Sequence, residues 1–289
     1  MGLCSVLPRT LTWRDVSLSV GLVGNLIVSK SHRSPFAAVS LIRAVRQLVV
    51  DGEIDLLLGV PVARAARVVV GLRFRQLGTW RTYTIVSRSA RALRRRFGVA
   101  GVPAAPLVDA LAWTYQRLRR PAITPCRVDE LSATELESAS FDGWSSPADR
   151  ICQRSSPSFL RWRFLDMPVH RYRVLGVYRA GTELNGYAVA RVEGDTATIV
   201  DSGVNGRSLG QAECILAVVD ALGSEAGVVS VRILDRTVLA DELRHHGFVA
   251  RRPDRERTYL VALARDDGPA QDALAEVHRW NLFSGFNDV

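Results

Sequence analysis

Few side chains in this sequence are of a type and spacing that could do chemistry. His245 and His246 are adjacent at the end of a helical stretch, so they face different directions and make a poor metal pair. A cap on the helix C-terminus, where a cation meets the negative end of the helix dipole, suits them better. His32 sits in a polar loop, which leaves it as a solvated loop residue or, alternatively, a catalytic one. Tyr83 and Tyr259 recur in similar alternating strands, where a tyrosine packs more often than it reacts. Asp201 and Glu213 have no partner evident in the sequence. Cys4, Cys126, Cys152 and Cys214 lie far apart with no C-x-x-C, which writes neither a zinc site nor a redox pair and points to small core residues. The phosphate loop G-x-x-x-x-G-K-[ST] and the zinc motif H-E-x-x-H are also missing. Spacing alone therefore assigns no catalytic residue and no metal ligand. Arg33, just before an apolar helical run, would on its own be an ordinary surface arginine near a helix start.

The chemistry must then come from backbone and position, which directs attention to the elements. The chain has 289 residues, 47% hydrophobic and 23% charged, which describes a folded chain long enough for two small domains. No apolar run approaches the roughly 18 residues of a membrane span, and Pro8, Arg9 and Arg14 interrupt any leader-like start. The expected location is the cytoplasm. The net charge of +9 is carried almost wholly by arginine, with Lys30 the only lysine, a bias that suits a GC-rich genome. With no helix-turn-helix or RNA-binding arrangement, no specific nucleic-acid partner is expected.

A repeat organises the chain. Gly71-Leu72-Arg73-Phe74 precedes Arg81-Thr82-Tyr83, and Gly247-Phe248-Val249-Ala250 precedes Arg257-Thr258-Tyr259, at one offset of 176 residues. The same offset lays the strand-like Val20 to Asn25 on Thr196 to Asp201, and the helix-like Ala38 to Leu48 on Cys214 to Ser224. Each copy predicts strand, polar loop, helix, strand, helix and a hairpin-like strand pair, over 16–28, 36–50, 54–60, 62–70 and 73–86, and again over 196–201, 209–222, 228–234, 236–246 and 248–263. Gly71 and Gly247 stand where a helix end favours a left-handed residue. The second copy is preceded by a helical segment at Phe159–Trp162 and strands over Tyr172–Arg179 and Glu183–Val192. The first has room only for a strand over Cys4–Trp13, as if truncated or begun at a misassigned Met1. This divides the chain into 1–88, a basic helical linker 89–125, and 126–289 with a tail. In the linker, Leu107, Leu111, Tyr115 and Leu118 share one helix face and arginines crowd the rest. It reads as a solvated helix, with a membrane surface or acidic partner as the alternative.

The element order, together with the run Gly24 to Ala38, resembles the acyl-CoA N-acyltransferase fold of the GNAT superfamily over nearly all of both copies. In that family an apolar strand leads into a loop of pattern Arg/Gln-x-x-Gly-x-Gly/Ala. Arg33 matches the first position and Ala38 the last, while Phe36 stands where the central glycine belongs and narrows or redirects the loop. The final stretch, Trp280 to Asp288, resembles the tail of bacterial tandem members. The resemblance implies two GNAT-like domains of mixed α/β class, each a mixed, mainly antiparallel sheet flanked by helices, the first truncated. It implies acetyl-CoA or another acyl-CoA as co-substrate, with the pyrophosphate held by backbone amides at a helix start, across Arg33, Ser34, Pro35, Phe36, Ala37 and Ala38. Ile27 or Val28 would offer a backbone N–H to the developing oxyanion. The implied activity is N-acyl transfer to a small amine or amino sugar. The alternative is an inactive GNAT-like scaffold or interaction protein. An exposed outer edge on the first strand would call for cover from the second domain, an upstream segment or a second subunit, as in a homodimer.

Overall fold

The computed structural model describes residues 2–286 apart from 15, 33–34, 120–124, 140, 142–143, 145–148, 154, 180, 207 and 252–257. The first segment runs β1 (Gly2–Trp13), β2 (Val16–Val28), α1 (Pro35–Val50), β3 (Leu56–Gly59), α2 (Ala63–Gly71) and β4 (Arg75–Val86). Two connecting helices follow, α3 (Ala90–Phe97) and α4 (Ala105–Arg119). Next come β5 (Arg127–Glu130), α5 (Ala133–Ser138), β6 (Ile151–Gln153), α6 (Pro157–Leu160), β7 (Arg173–Tyr178) and β8 (Gly186–Glu193). The second segment is β9 (Thr196–Val204), α7 (Gln211–Leu222), β10 (Val228–Leu234), α8 (Val238–His245), β11 (Val249–Ala250) and β12 (Tyr259–Ala264), and α9 (Pro269–Ala275) and β13 (Trp280–Asn281) close the chain.

Local chemistry explains the boundaries. Thr237 accepts the Ala240 N–H to cap α8, and Ser132 and Glu135 form a reciprocal cap on α5. Beyond α8, Gly247 takes the expected left-handed conformation, with φ 92°. Gly71 does not. It ends α2, and the positive φ falls instead on Arg73, at 72°.

The strands of both segments lie in one mixed sheet of 13 strands, ordered β13-β6-β1-β2-β3-β12-β4-β10-β9-β8-β7-β5, with β11 on β4. Most pairs are antiparallel. The parallel ones are β2 with β3, β9 with β10, and β13 with β6. Each strand–helix–strand unit thus brings its first two strands side by side in parallel, as a crossover helix requires. The hairpin-like pair expected over 73–86 is instead one long strand, β4. Its Arg75–Thr79 half pairs with β12, and its Trp80–Val86 half lies between β10 and β11. In return β12 lies between β3 and β4. The segments therefore interlock, each completing the other's sheet.

The helices cover both faces of the sheet. Ile42, Val45 and Val49 of α1 pack with Leu57 and Val261, while Ile215, Val218 and Leu222 of α7 pack with Ala197, Ile199, Val229 and Val231. Truncating one such side chain to alanine costs about 2–5 kcal/mol, which explains why these apolar faces are continuous. The outer edge of β1 is covered at Leu11 and Thr12 by β6, with β13 beyond it, while Gly2–Thr10 has no outer strand among the described residues. On α4 the apolar stripe of Leu107, Leu111, Tyr115 and Leu118 faces solvent. Among the described residues, no helix is long and apolar enough to cross a membrane.

Candidate functional site

Two parallel pairs fork in the sheet, and each fork is a place where a ligand could lie against free strand edges. In the first segment, pairing of β2 with β3 ends at Val23 and Gly59. Beyond that point β2 carries an extra residue relative to β1, between Gly24 and Ile27, and Asn25 adopts a φ of 44°. Such a bulge bends the strand away from its neighbour. The result is a cleft of about 340 Å³, lined on β2 by Leu22 to Leu26, on the β3 side by Gly59 to Pro61, and by Ala65 and Val69 of α2. Ile27 and Val28 continue beyond the cleft, paired with Leu3 and Gly2.

The loop that follows is polar. His32 Nδ1 lies 2.9 Å from the hydroxyls of both Ser29 and Ser31, so its ring is tied locally. Helix α1 begins at Pro35, which lacks an N–H, and its first turn holds no acidic residue. Phe36 is 79% exposed in that turn, with Ala37 and Ala38 half-buried behind it. Arg33 and Ser34 lie outside the described residues.

The second fork opens past Ile199 and Val231 and is filled by the chain's own end. Phe283 bridges Ile233 of β10, and Gly285 presses on β9 so closely that a Cβ there would come 2.6 Å from the Val200 carbonyl oxygen. Trp280 is fully buried and donates its indole N–H to Ala273 O at 2.9 Å. Phe283 thus packs in the core of the second segment, while Trp280 packs in the cluster that holds Leu11, Leu18 and Leu56 of the first, so the tail ties the two together.

Around this second fork lie polar groups that the spacing alone did not mark out. Asp201 is 5% exposed on β9, and burial pushes its carboxyl up to about 6. The Ser202 N–H at 2.9 Å, the Tyr187 hydroxyl at 3.4 Å and the Ser155 hydroxyl at 3.5 Å donate to it and resist that rise. Phe141 stacks on Tyr187 with centroids 5.6 Å apart, and burial raises the Tyr187 phenol too. Arg163 is 5% exposed, and its Nε and Nη2 have no hydrogen-bond partner among the described residues.

Gly203 and Gly206, ahead of α7, read as plain turn residues in a stretch without the family's pattern, yet that pattern starts one residue further on. Residues 207–212 read Arg-Ser-Leu-Gly-Gln-Ala, which satisfies the loop pattern with its central glycine intact; 206–210 also read Gly-Arg-Ser-Leu-Gly, a strand-to-helix nucleophile pattern. Aligning the copies at a fixed offset of 176 sets Arg33 on Leu209 and hides the match. Gly210 sits immediately before α7, its N–H bonded to Glu213 Oε2 at 3.0 Å. Ser208 accepts from Asn185 Nδ2 at 3.1 Å, a bond that fixes the loop. Next to it is a cleft of about 410 Å³ whose walls include Arg150, Arg179, Gly210 and His246. Arg150 is paired with Glu242, and Arg179 donates to the Ser208 carbonyl oxygen. The His245 and His246 rings meet edge to face, with centroids 5.8 Å apart and an interplanar angle of 73°.

All four cysteines are free, with Cys214 buried and its thiol pushed up to about 12. Tyr83 is fully buried and bonded through its hydroxyl to Asp235, which supports a packing role.

No protein-family model matches the sequence, and no curated protein matches it. Solved structures do match in fold. A protein of Enterococcus faecalis V583 described as a probable N-acyltransferase aligns over 91% of this chain, with TM-score 0.59 and 11% identity. A GCN5-related N-acetyltransferase from Anabaena variabilis ATCC 29413 aligns over 90%, with TM-score 0.56 and 11% identity. One from Kribbella flavida aligns over 90%, with TM-score 0.50 and 9% identity. The chain spans 58%, 58% and 56% of the lengths of these proteins. At such identities the likeness is one of fold: a mixed α/β chain, similar to GNAT N-acetyltransferases over about nine-tenths of its length.

Proposed function

We propose that this chain is an acyl-CoA-dependent N-acyltransferase that transfers an acyl group, acetyl in the simplest case, to a small-molecule amine or amino sugar. We read it as two related units, 1–88 and 126–289, joined by a helical linker, the first lacking counterparts of β5 and β7. The observation that carries the reading is the open fork between β2 and β3 beyond Val23 and Gly59. Its apolar walls suit the thiol arm of CoA. The pyrophosphate would lie near the start of α1, where the helix dipole favours an anion and no acidic side chain opposes one. Acyl-CoA supplies a thioester: the amine nitrogen bonds to its carbonyl carbon, the C–S bond breaks, and the proton shed by nitrogen ends on the thiolate. Strand β2 orients that carbonyl, and the backbone at its edge, from Gly24 to Val28, holds the developing oxyanion. The exposed stripe on α4 is where contact with a membrane surface, an acidic partner or a second copy would be made.

A scaffold without catalysis is the second reading, favoured by Phe36 in the loop and by the tail in the second fork. Calorimetric titration of the whole chain with acetyl-CoA and desulfo-CoA separates the two. The enzyme reading expects one site per chain, lost in Ala65→Phe, which fills the fork from α2. Absence of binding by either ligand, with circular dichroism normal, leaves the scaffold.

A further inference from the structure

A cleft of about 680 Å³, twice the volume of the first fork, opens where the two segments interlock. Trp80 and Arg81 of β4, Arg232 of β10, and Asp235, Arg236 and His278 contribute to its walls. It is next to the fork: Tyr259, which lines the cleft, donates its N–H to the carbonyl of Pro61, which lines the fork, at 3.1 Å. Val62 and Thr258 form a bridge beside them. One backbone ladder therefore separates the two spaces.

Among the described residues, the cleft is lined by three arginines, one carboxylate and His278, which pairs with Glu276 at 3.6 Å, and the carboxylate is already engaged. Asp235 accepts from Arg81 at 3.1 Å, from Arg244 at 2.7 Å and from the Tyr83 hydroxyl. Arg232 Nη2 donates to Thr258 Oγ1 at 2.8 Å. The Arg236 guanidinium has no partner among the described residues, and its backbone is held at φ 62°, a conformation that non-glycine residues adopt at a cost. A guanidinium can only donate, so what would complete Arg232 and Arg236 is an acceptor carrying negative charge.

We infer that this cleft is the acceptor pocket and that it selects a small amine bearing an oxyanion, either a carboxylate or a phosphate, bound by Arg232 and Arg236. For the amine this rests on the acyltransferase reading; for the anion it rests on the cleft alone.

Paired probes test it on the full chain, by CoA release from acetyl-CoA. β-Alanine is set against β-alaninamide, and phosphoethanolamine against ethanolamine, so that the first pair reads a carboxylate and the second a phosphate. The expected result is that one anionic member exceeds its neutral partner at least about tenfold in kcat/KM. Arg236→Gln and Arg232→Gln should each lower that ratio roughly tenfold, the loss of one charged hydrogen bond, with acetyl-CoA affinity unchanged. Binding of acetyl-CoA with no preference for either anion overturns the inference. If acetyl-CoA does not bind, the acyltransferase reading fails, and titration of the same four compounds by calorimetry still decides the pocket. Tighter binding of an anionic member, weakened about tenfold by Arg236→Gln, upholds the anion site; equal binding within both pairs overturns it.

Discussion

Between β2 and β3 the fork is open, apolar and bent outward at Asn25, yet the loop behind it carries Phe36 at the helix start. Between β9 and β10 the loop keeps its glycine and the neighbouring arginines, yet the fork holds residues 283–285 of the same chain. A site for an acyl-CoA needs both an open fork for the arm and an accommodating loop for the diphosphate. Each segment retains one of these requirements in its better form. Two segments joined in one sheet can differ in this way, because a tail that stabilises one fork leaves the other available.

The comparison can be broken most sharply at the forks. Ala65→Phe should abolish acetyl-CoA binding, a loss of at least about a hundredfold by calorimetry, since a phenyl ring takes the volume an arm would need. Gly210→Glu, which adds charge and bulk to the second loop, should leave that binding intact; loss with Gly210→Glu and persistence with Ala65→Phe would move the site to the second segment.

Phe283→Ala removes a side chain packed in the core of the second segment and leaves the main-chain bridge to β10 in place. Its exposure of 4% predicts a cost of about 3–5 kcal/mol, read as a lower urea midpoint. If the tail is the only thing closing the second fork, the variant should also take up a second equivalent of acetyl-CoA; a single equivalent means that the fork is structural.

Asp201 sharpens the contrast through pH, since it has no carboxylate counterpart at Asn25, its match at the offset of 176. A carboxyl raised to about 6 in the folded chain binds its proton more tightly there than in the unfolded chain, where it titrates near 4. Its contribution to stability is therefore fully present below pH 4 and is lost as pH rises through 6. The groups facing it, Arg9, Arg163, Tyr187 and Ser155, moderate the loss without reversing it. Asp201→Asn should flatten the stability profile between pH 4 and 6 and leave the variant more stable at pH 8, by roughly 2–3 kcal/mol. A profile unchanged from the parent would place that proton elsewhere. The smallest effect is expected from Phe36→Gly, which should tighten acetyl-CoA binding a few-fold if the exposed ring narrows the loop. Weaker binding would mean that the ring stacks on the ligand.

Much of this architecture was legible because local periodicity fixes local elements. The apolar spacing of Ile42, Val45 and Val49 announces α1, and the alternation through Leu18, Val20 and Leu22 announces β2. Partnership between strands was not legible. Nothing local in Arg75–Val86 says that its halves bond to different strands of the distant segment, and that choice produced one strand where a hairpin was expected. The loop at 207–212 could be read from the sequence, but only with the two-residue shift that a gapless comparison forbids. Asp201 looked like an isolated carboxylate because its partners, Tyr187 and Ser155, are brought to it by other strands and helices.

The interlocked strands also set a schedule. Leu56 of β3 bonds across to Ala264 of β12, some two hundred residues later in the chain. At ribosomal speeds of about 5–20 residues per second, the edge of β3 waits on the order of 10–40 s for its neighbour. Throughout that interval it is an unpaired strand edge, able to recruit any other extended chain nearby. Production of this protein should therefore be governed by what shields a half-made sheet during synthesis, and chaperone supply should raise soluble yield more than any change at the surface of the finished fold.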